Sequence, residues 1–214
     1  MNIKSAVIVG GIIIVILGAL LYFVPAPQEK EGLYVSYEVR EDTYEILVEY
    51  PVLPYEQAQT SLEEIVSTYV KGFEETVQEF GKSPTGRPYL LIVEDAALVE
   101  SQHTVGINLL VYQDFGGAHG LPQFIGLNFT KDGGEEVVLE EALSLLDTSL
   151  EDLAAEATLH FEETLGESFF REGAEPREEN YSSFVIGDDE VTFYFQPYQV
   201  AAYALGIQEY SFSY

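Results

Sequence analysis

Tyr112-Gln-Asp-Phe-Gly-Gly-Ala-His-Gly120 and Phe193-Tyr-Phe-Gln-Pro-Tyr-Gln-Val-Ala-Ala-Tyr-Ala-Leu-Gly206 are two strand-like runs, each stopping at an unusual turn. In the first, adjacent glycines let the backbone reverse tightly before His119. In the second, Pro197 ends the run, because proline has no N–H to give to a sheet ladder.

The neighbours of these runs supply partners. Residues 88–99 and 104–113 have the composition of paired strands, and 120–129 of a third, closed by the tight turn Lys131-Asp-Gly-Gly134. Residues 137–146 begin a short helix. Ser149–Leu165 is a clearer helix, with Leu150, Leu153, Ala154, Ala157, Phe161 and Leu165 on one face. Ser149 and Asp152 have capping-box spacing, and Gly166 is the stop. After a charged loop at 171–181, residues 184–186 and 190–195 flank the hairpin turn Gly187-Asp-Asp189, and 207–214 form a last strand.

Toward the N-terminus, residues 33–40 and 44–50 alternate apolar and polar side chains around the turn Glu41-Asp-Thr43, an antiparallel hairpin. The period then changes. Leu62, Ile65, Val66, Tyr69, Val70, Phe73, Val77 and Phe80 recur at three and four residues, predicting an amphipathic helix over 54–81. Ser61 and Glu64 have capping-box spacing, and Gly81 is the stop. Runs of strands interrupted by single helices predict an α+β fold: antiparallel sheets with two main amphipathic helices, preceded by one N-terminal transmembrane helix.

That transmembrane helix is expected at residues 6–24, which carry no charge and match the roughly 20 apolar residues that span a bilayer. The positive-inside rule puts a cytoplasmic stub at 1–5 and everything after the linker at 25–32 outside the cell membrane. A cleaved signal peptide is the rival reading, since Val24-Pro-Ala26 has small residues suited to cleavage. The length of the apolar run and Pro27 after the cut favour an uncleaved anchor. The exported part divides into an N-terminal strand–helix unit, 33–87, and a C-terminal unit, 88–214.

Hydrophobic residues make up 47% of the chain, enough for a core, and the absence of cysteine excludes disulfides and cysteine-ligated zinc. The net charge is -28, and because Lys4 and Lys30 offset Glu29 and Glu31, all of it belongs to the part from Leu33 onward. Such a field repels nucleic acid and anionic membrane and attracts cationic partners, although net charge also serves plain solubility.

No catalytic motif is found. His119 reads first as a structural hydrogen-bonding residue, second as part of a binding surface with Tyr112 and Asp114, and last as a catalytic group. His103 is a further expected neighbour. His103, His119 and His160 lack paired metal-ligand spacing, so no metal or other cofactor is expected. Pro197, Tyr198, Tyr203 and Gly206 read as a corner between strands, or as an aromatic binding rim built on Tyr198 and Tyr203. Asp188 and Asp189, like Asp132 with Glu135, fit turns better than calcium loops. Asn128-Phe-Thr130 and Asn180-Tyr-Ser182 fit the short N-glycosylation triplet.

The order strand, Gly-Gly-Ala-His119, strand, Asp132-Gly-Gly, Val138-Leu-Glu-Glu-Ala-Leu, helix, hairpin, Phe195-Gln-Pro-Tyr-Gln-Val-Ala-Ala-Tyr203 and closing strand resembles the extracytoplasmic domain of RsiV-like proteins. Similar domains are attached to PdaC-type peptidoglycan deacetylases. The resemblance covers about 33–214 and is most specific over the two C-terminal motifs. It implies an exported binding or sensing domain of the cell envelope, with lysozyme, another cationic protein or cell-wall glycan as ligand. The anti-sigma segment and the deacetylase catalytic domain of such proteins have no counterpart in this sequence. The expected function is therefore binding and not catalysis, with a wall-polymer enzyme using His119 and nearby carboxylates as the alternative.

Overall fold

The computed structural model describes residues 33–214, so the predicted stub, transmembrane segment and linker lie outside the described residues. Among the described residues no helix is long and apolar enough to cross a membrane. The strands are β1 (Tyr34–Arg40), β2 (Tyr44–Pro51), β3 (Tyr89–Glu100), β4 (Thr104–Asp114), β5 (Leu121–Thr130), β6 (Phe184–Ile186), β7 (Glu190–Phe195) and β8 (Gln208–Ser213). The helices are α1 (Glu56–Phe80), α2 (Leu139–Leu145) and α3 (Leu150–Leu165). The α+β class predicted from sequence is the one observed.

One sheet has the order β1-β2-β3-β4-β5 and a second the order β6-β7-β8. Every pairing is antiparallel except β2 with β3, which is parallel. This corrects the expectation of purely antiparallel sheets at one place. The cause is α1, whose 25 residues return the chain along the sheet so that β3 starts at the same end as β2, the crossover that parallel neighbours need. β2 and β3 thus pair across the predicted boundary at 87/88. The apolar cores divide later in the chain: one runs from Ile46 to Phe129 and the other from Ala142 to Val200.

The first core is the apolar stripe of α1 laid on the sheet. Leu62, Val66, Phe73 and Val77 meet Ile46, Val48, Leu91, Val93, Ile107 and Leu109. Phe73 also packs against the rings of Phe115 (5.2 Å) and Tyr44 (6.1 Å). Helix α1 begins before the predicted cap, so Ser61 and Glu64 lie inside it. Gln59 sits at its start instead: its Oε1 accepts from the Leu53 N–H at 2.8 Å, and its N–H donates to the Tyr55 carbonyl at 2.9 Å. The stops at Gly81 and Gly166, and the Ser149 cap accepting from the Asp152 N–H at 3.1 Å, are as the sequence predicts.

The second core packs α3 on the small sheet, with Phe161 edge-on to Phe195 at 4.8 Å. The segment 171–181, expected as a charged loop, also reaches this core: Ala174 and Tyr181 are buried, and the Tyr181 hydroxyl donates to the Ala174 carbonyl at 2.8 Å.

The two sheets meet where β6 crosses over Gly126. A β-carbon at Gly126 would collide with the Phe184 backbone. Beside it, the Asn128 carboxamide acts as a piece of backbone: its Nδ2 donates to the Phe184 carbonyl and its Oδ1 accepts from the Ile186 N–H, both at 2.8 Å. Ser183 Oγ accepts from the Gly126 N–H and donates to the Phe124 carbonyl, each at 3.0 Å. Gln196 accepts from the Phe124 N–H (2.8 Å) and donates to the Phe124 carbonyl (2.7 Å). Asn128 is only 1% exposed, so the glycosylation triplet at Asn128 is a structural feature of the folded protein. The amide of Asn180 is likewise engaged, donating to the Glu172 and Glu175 carbonyls.

Two stability outcomes follow from this packing. Phe73→Ala removes a fully buried ring and should cost about 3–5 kcal/mol in urea denaturation. Asn128→Ala strands a buried N–H and a buried carbonyl of β6, at about 1–3 kcal/mol for each group left without a partner. A loss below about 1 kcal/mol for Asn128→Ala would show that the carboxamide does not hold the sheets together.

Candidate functional site

Three of the five candidate residues from the sequence, Tyr112, His119 and Tyr203, meet at Gly120, which lies just ahead of β5. Its carbonyl accepts from His119 Nδ1 at 3.0 Å and from the Tyr203 hydroxyl at 2.9 Å. The Tyr112 phenol lies against the Gly120 backbone. A β-carbon at Gly120 would overlap the Tyr112 ring, so only glycine lets this aromatic side chain close over the backbone. The Tyr112 phenol is pushed up from its ordinary value by burial and then by the Asp114 carboxylate, partly offset by the Gly120 N–H and Arg87. It therefore stays neutral and keeps its proton at physiological pH. Asp114 joins through this field, while its Oδ1 accepts from the Gly116 N–H of its own loop at 2.8 Å.

The rings form a ladder. His119 stacks on Tyr203 with centroids 3.9 Å apart and planes at 22°. Tyr203 lies 5.6 Å from Tyr198, tilted by 33°. Tyr198 is 55% exposed, and the apolar side chains of Leu121 and Leu205, close to the ladder in sequence, are 50% and 48% exposed.

Tyr198 has φ 72°. It follows Pro197 in a turn closed by the Gln199 N–H donating to the Gln196 carbonyl at 2.9 Å. Proline second and a positive φ third is the pattern of a type II turn, where glycine or asparagine is the usual third residue. The turn is pinned on both flanks. Gln196 is held to Phe124. The Gln199 side chain accepts from the Gln196 N–H at 2.9 Å and donates to the Gly173 and Asn180 carbonyls at 3.0 and 2.9 Å. Surroundings that over-determine a strained residue in this way are how such strain persists.

The expected neighbour His103 is absent from this cluster. It precedes β4 while Tyr112 and Asp114 end it, a separation of about 30 Å at the rise of an extended strand. His160 packs on Tyr210 at 4.6 Å, against the small sheet. Among the described residues no group of His, Asp and Glu is placed to hold a metal ion. Asp188 ties its turn to the loop between β3 and β4, accepting from the Gln102 N–H at 2.8 Å. Two surface hollows lie elsewhere: one of about 200 Å³ between β1, β2 and Lys131, and an open groove of about 460 Å³ along α3.

Sequence reading passed over Gly120, Gln196 and Gln199. The glutamines flank the Pro-Tyr pair, and that flanking was their only signal in the sequence.

With this geometry in hand, the comparisons with known proteins fall into place. Residues 129–214 match the model of the family described as "Protein of unknown function (DUF3298)". The chain is also 28% identical over 180 residues to the peptidoglycan-N-acetylmuramic acid deacetylase PdaC of Bacillus subtilis (strain 168). That match covers 78% of this chain and 36% of PdaC, so the chain spans about a third of the relative's length. The resemblance to domains found on PdaC-type enzymes is thus upheld. A crystal structure of a DUF3298 family protein from Pseudomonas aeruginosa PAO1 superposes with a TM-score of 0.59 at 16% identity, over 89% of this chain and 93% of that one. A family member from Bacteroides fragilis gives 0.50 at 17% identity, over 86% and 91%. At these identities the two structures speak for the fold alone.

Two substitutions probe the corner. Gly120→Ala should displace the Tyr112 ring and lower the unfolding free energy by about 1–3 kcal/mol, the usual range for overpacking. Tyr198→Gly removes an exposed ring and relieves a left-handed L-residue that costs roughly 1–2 kcal/mol. Its thermal midpoint should match or exceed that of the unsubstituted protein. A clear fall would mean that the ring stabilises the fold.

Proposed function

We propose that this protein is a membrane-anchored, extracytoplasmic binding or sensing module of the cell envelope, and that it does not catalyse. The observation that carries the reading is the exposed end of an aromatic ladder on a rigid corner. Rigid aromatic anchors lose little entropy on binding and supply much of the energy at recognition sites. The likeness to part of PdaC, whose name ties it to peptidoglycan, supports an envelope setting. Residues 6–24 would be the single-pass anchor, with the N-terminus cytoplasmic. A net charge of -28 supports a cationic protein such as lysozyme, or an uncharged or cationic wall glycan, and disfavours nucleic acid.

The alternative is a wall-polymer enzyme built on His119. One detail favours it: donation from Nδ1 to Gly120 leaves Nε2 as the lone-pair nitrogen. Against it, Asp114 is turned to its own loop, and neither hollow is lined by His119. His119→Gln removes the ring that backs Tyr203 and should weaken, without abolishing, binding to purified wall material. If the protein releases soluble products from that material and the substitution abolishes release, the enzyme reading replaces the binding one.

Binding to an immobilised basic protein should associate more slowly as salt rises, since screening acts over roughly 8 Å at physiological ionic strength. Dissociation should change little. Complete loss of binding in moderate salt, with no effect of substituting Tyr198 or Tyr203, would reduce the acidic field to a solubility device.

A further inference from the structure

We propose, building on the binding reading above, that the His119–Tyr203–Tyr198 ladder is a stacking subsite for a pyranose ring of a neutral or amine-bearing glycan, with Tyr198 as the contacting residue. The argument begins with what Tyr198 costs. It takes a backbone conformation with φ 72° that glycine would adopt freely. Its ring is 55% exposed, so burial does not compensate for that conformation. Gln196 and Gln199 nonetheless fix the turn from both sides. Strain that the scaffold enforces and the core does not use points to the side chain's outer face.

The chemistry of that face selects the ligand. Tyr203 supports the Tyr198 ring at 5.6 Å and is itself backed by His119 at 3.9 Å. The result is a preorganised aromatic corner, with Tyr198 tilted by 33° on Tyr203 and the Tyr203 hydroxyl already spent on the Gly120 carbonyl. An aromatic face carries the negative part of the ring quadrupole and attracts weakly positive C–H groups. The axial C–H face of a pyranose in a β-linked chain presents such groups in one plane, with its hydroxyls directed outward to water. The -28 charge repels polyanionic polymers and adds attraction for a protonated amino sugar, whose ammonium also favours an aromatic face.

The test is calorimetric titration of the full-length chain with two probes: the β-1,4-linked N-acetylglucosamine hexamer and its fully de-N-acetylated counterpart. A separate arm uses lysozyme. At least one hexamer should bind. Tyr198→Gly should weaken it about tenfold, the size of one aromatic contact, with an unchanged or higher thermal midpoint. Tyr198→Phe, which keeps the ring, should stay within about threefold. The remote exposed substitution Leu159→Ala should have no effect. The proposal is overturned if neither hexamer binds, if Tyr198→Gly binds as well as the unsubstituted chain, or if Tyr198→Phe loses affinity equally. Tyr198-dependent binding of lysozyme alone would overturn the glycan subsite and leave the binding module standing. Absence of every ligand, including wall material, would remove both.

Discussion

Beyond the short bridge of Phe129 to Glu136, the outer edge of β5 has no neighbouring strand, and an unpaired edge exposes main-chain donors and acceptors that must find partners. Here side chains take the place of a strand. Ser183 and Gln196 hold Phe124 and Gly126, while the Asn128 carboxamide reaches the other way to hold the β6 backbone. Gly126 provides the space for β6 to cross, and Gly106 leaves room for Val185 beside Asn128. These contacts are directional, so they set one relative position for the two sheets. Apolar burial alone would fix that position far less sharply.

The corner inherits its geometry from this clasp. Gln196 belongs to the clasp and immediately precedes Pro197, so anchoring it to Phe124 also anchors the turn that carries Tyr198. Gly120 directly precedes β5 and takes hydrogen bonds from His119 and from Tyr203 across 83 residues of sequence. The aromatic ladder therefore stands at the seam where both sheets end. The turn at 196–199 is held on one flank by hydrogen bonds to the edge of β5 and on the other by Gln199 to the Gly173 and Asn180 carbonyls.

The acidic surface adds little to this stability. The ion pairs Arg40–Glu38, Lys131–Glu100, Arg171–Glu162 and Arg177–Glu175 are at or near the surface, where such pairs contribute about 0–1 kcal/mol. Most of the carboxylates must be carried against mutual repulsion by the two apolar cores. On the binding reading proposed above, the field would act on encounters with other molecules and the aromatic corner on short-range contact.

Local order was legible in the sequence because it depends on neighbours a few residues apart. The α1 and α3 stripes, the glycine stops at Gly81 and Gly166, the Ser149 cap and the turn at Gly187 follow from side-chain period and backbone preference. The start of α1 did not, because it has no side-chain cap: Tyr55 stands at the N-cap, and the Gln59 side chain accepts from the Leu53 N–H ahead of the helix. The parallel β2–β3 pairing needed the packed position of α1. Asn128 read as a surface triplet, yet its amide is buried between sheets that meet only in the fold. The five candidate residues were picked as separate motifs. That Tyr112, His119 and Tyr203 share Gly120 and Tyr198 joins them through Tyr203, while His103 lies at the far end of β4, was decided by the tertiary structure. Strand register and sheet docking bring together residues some 80 positions apart, and no local preference along the chain specifies such contacts.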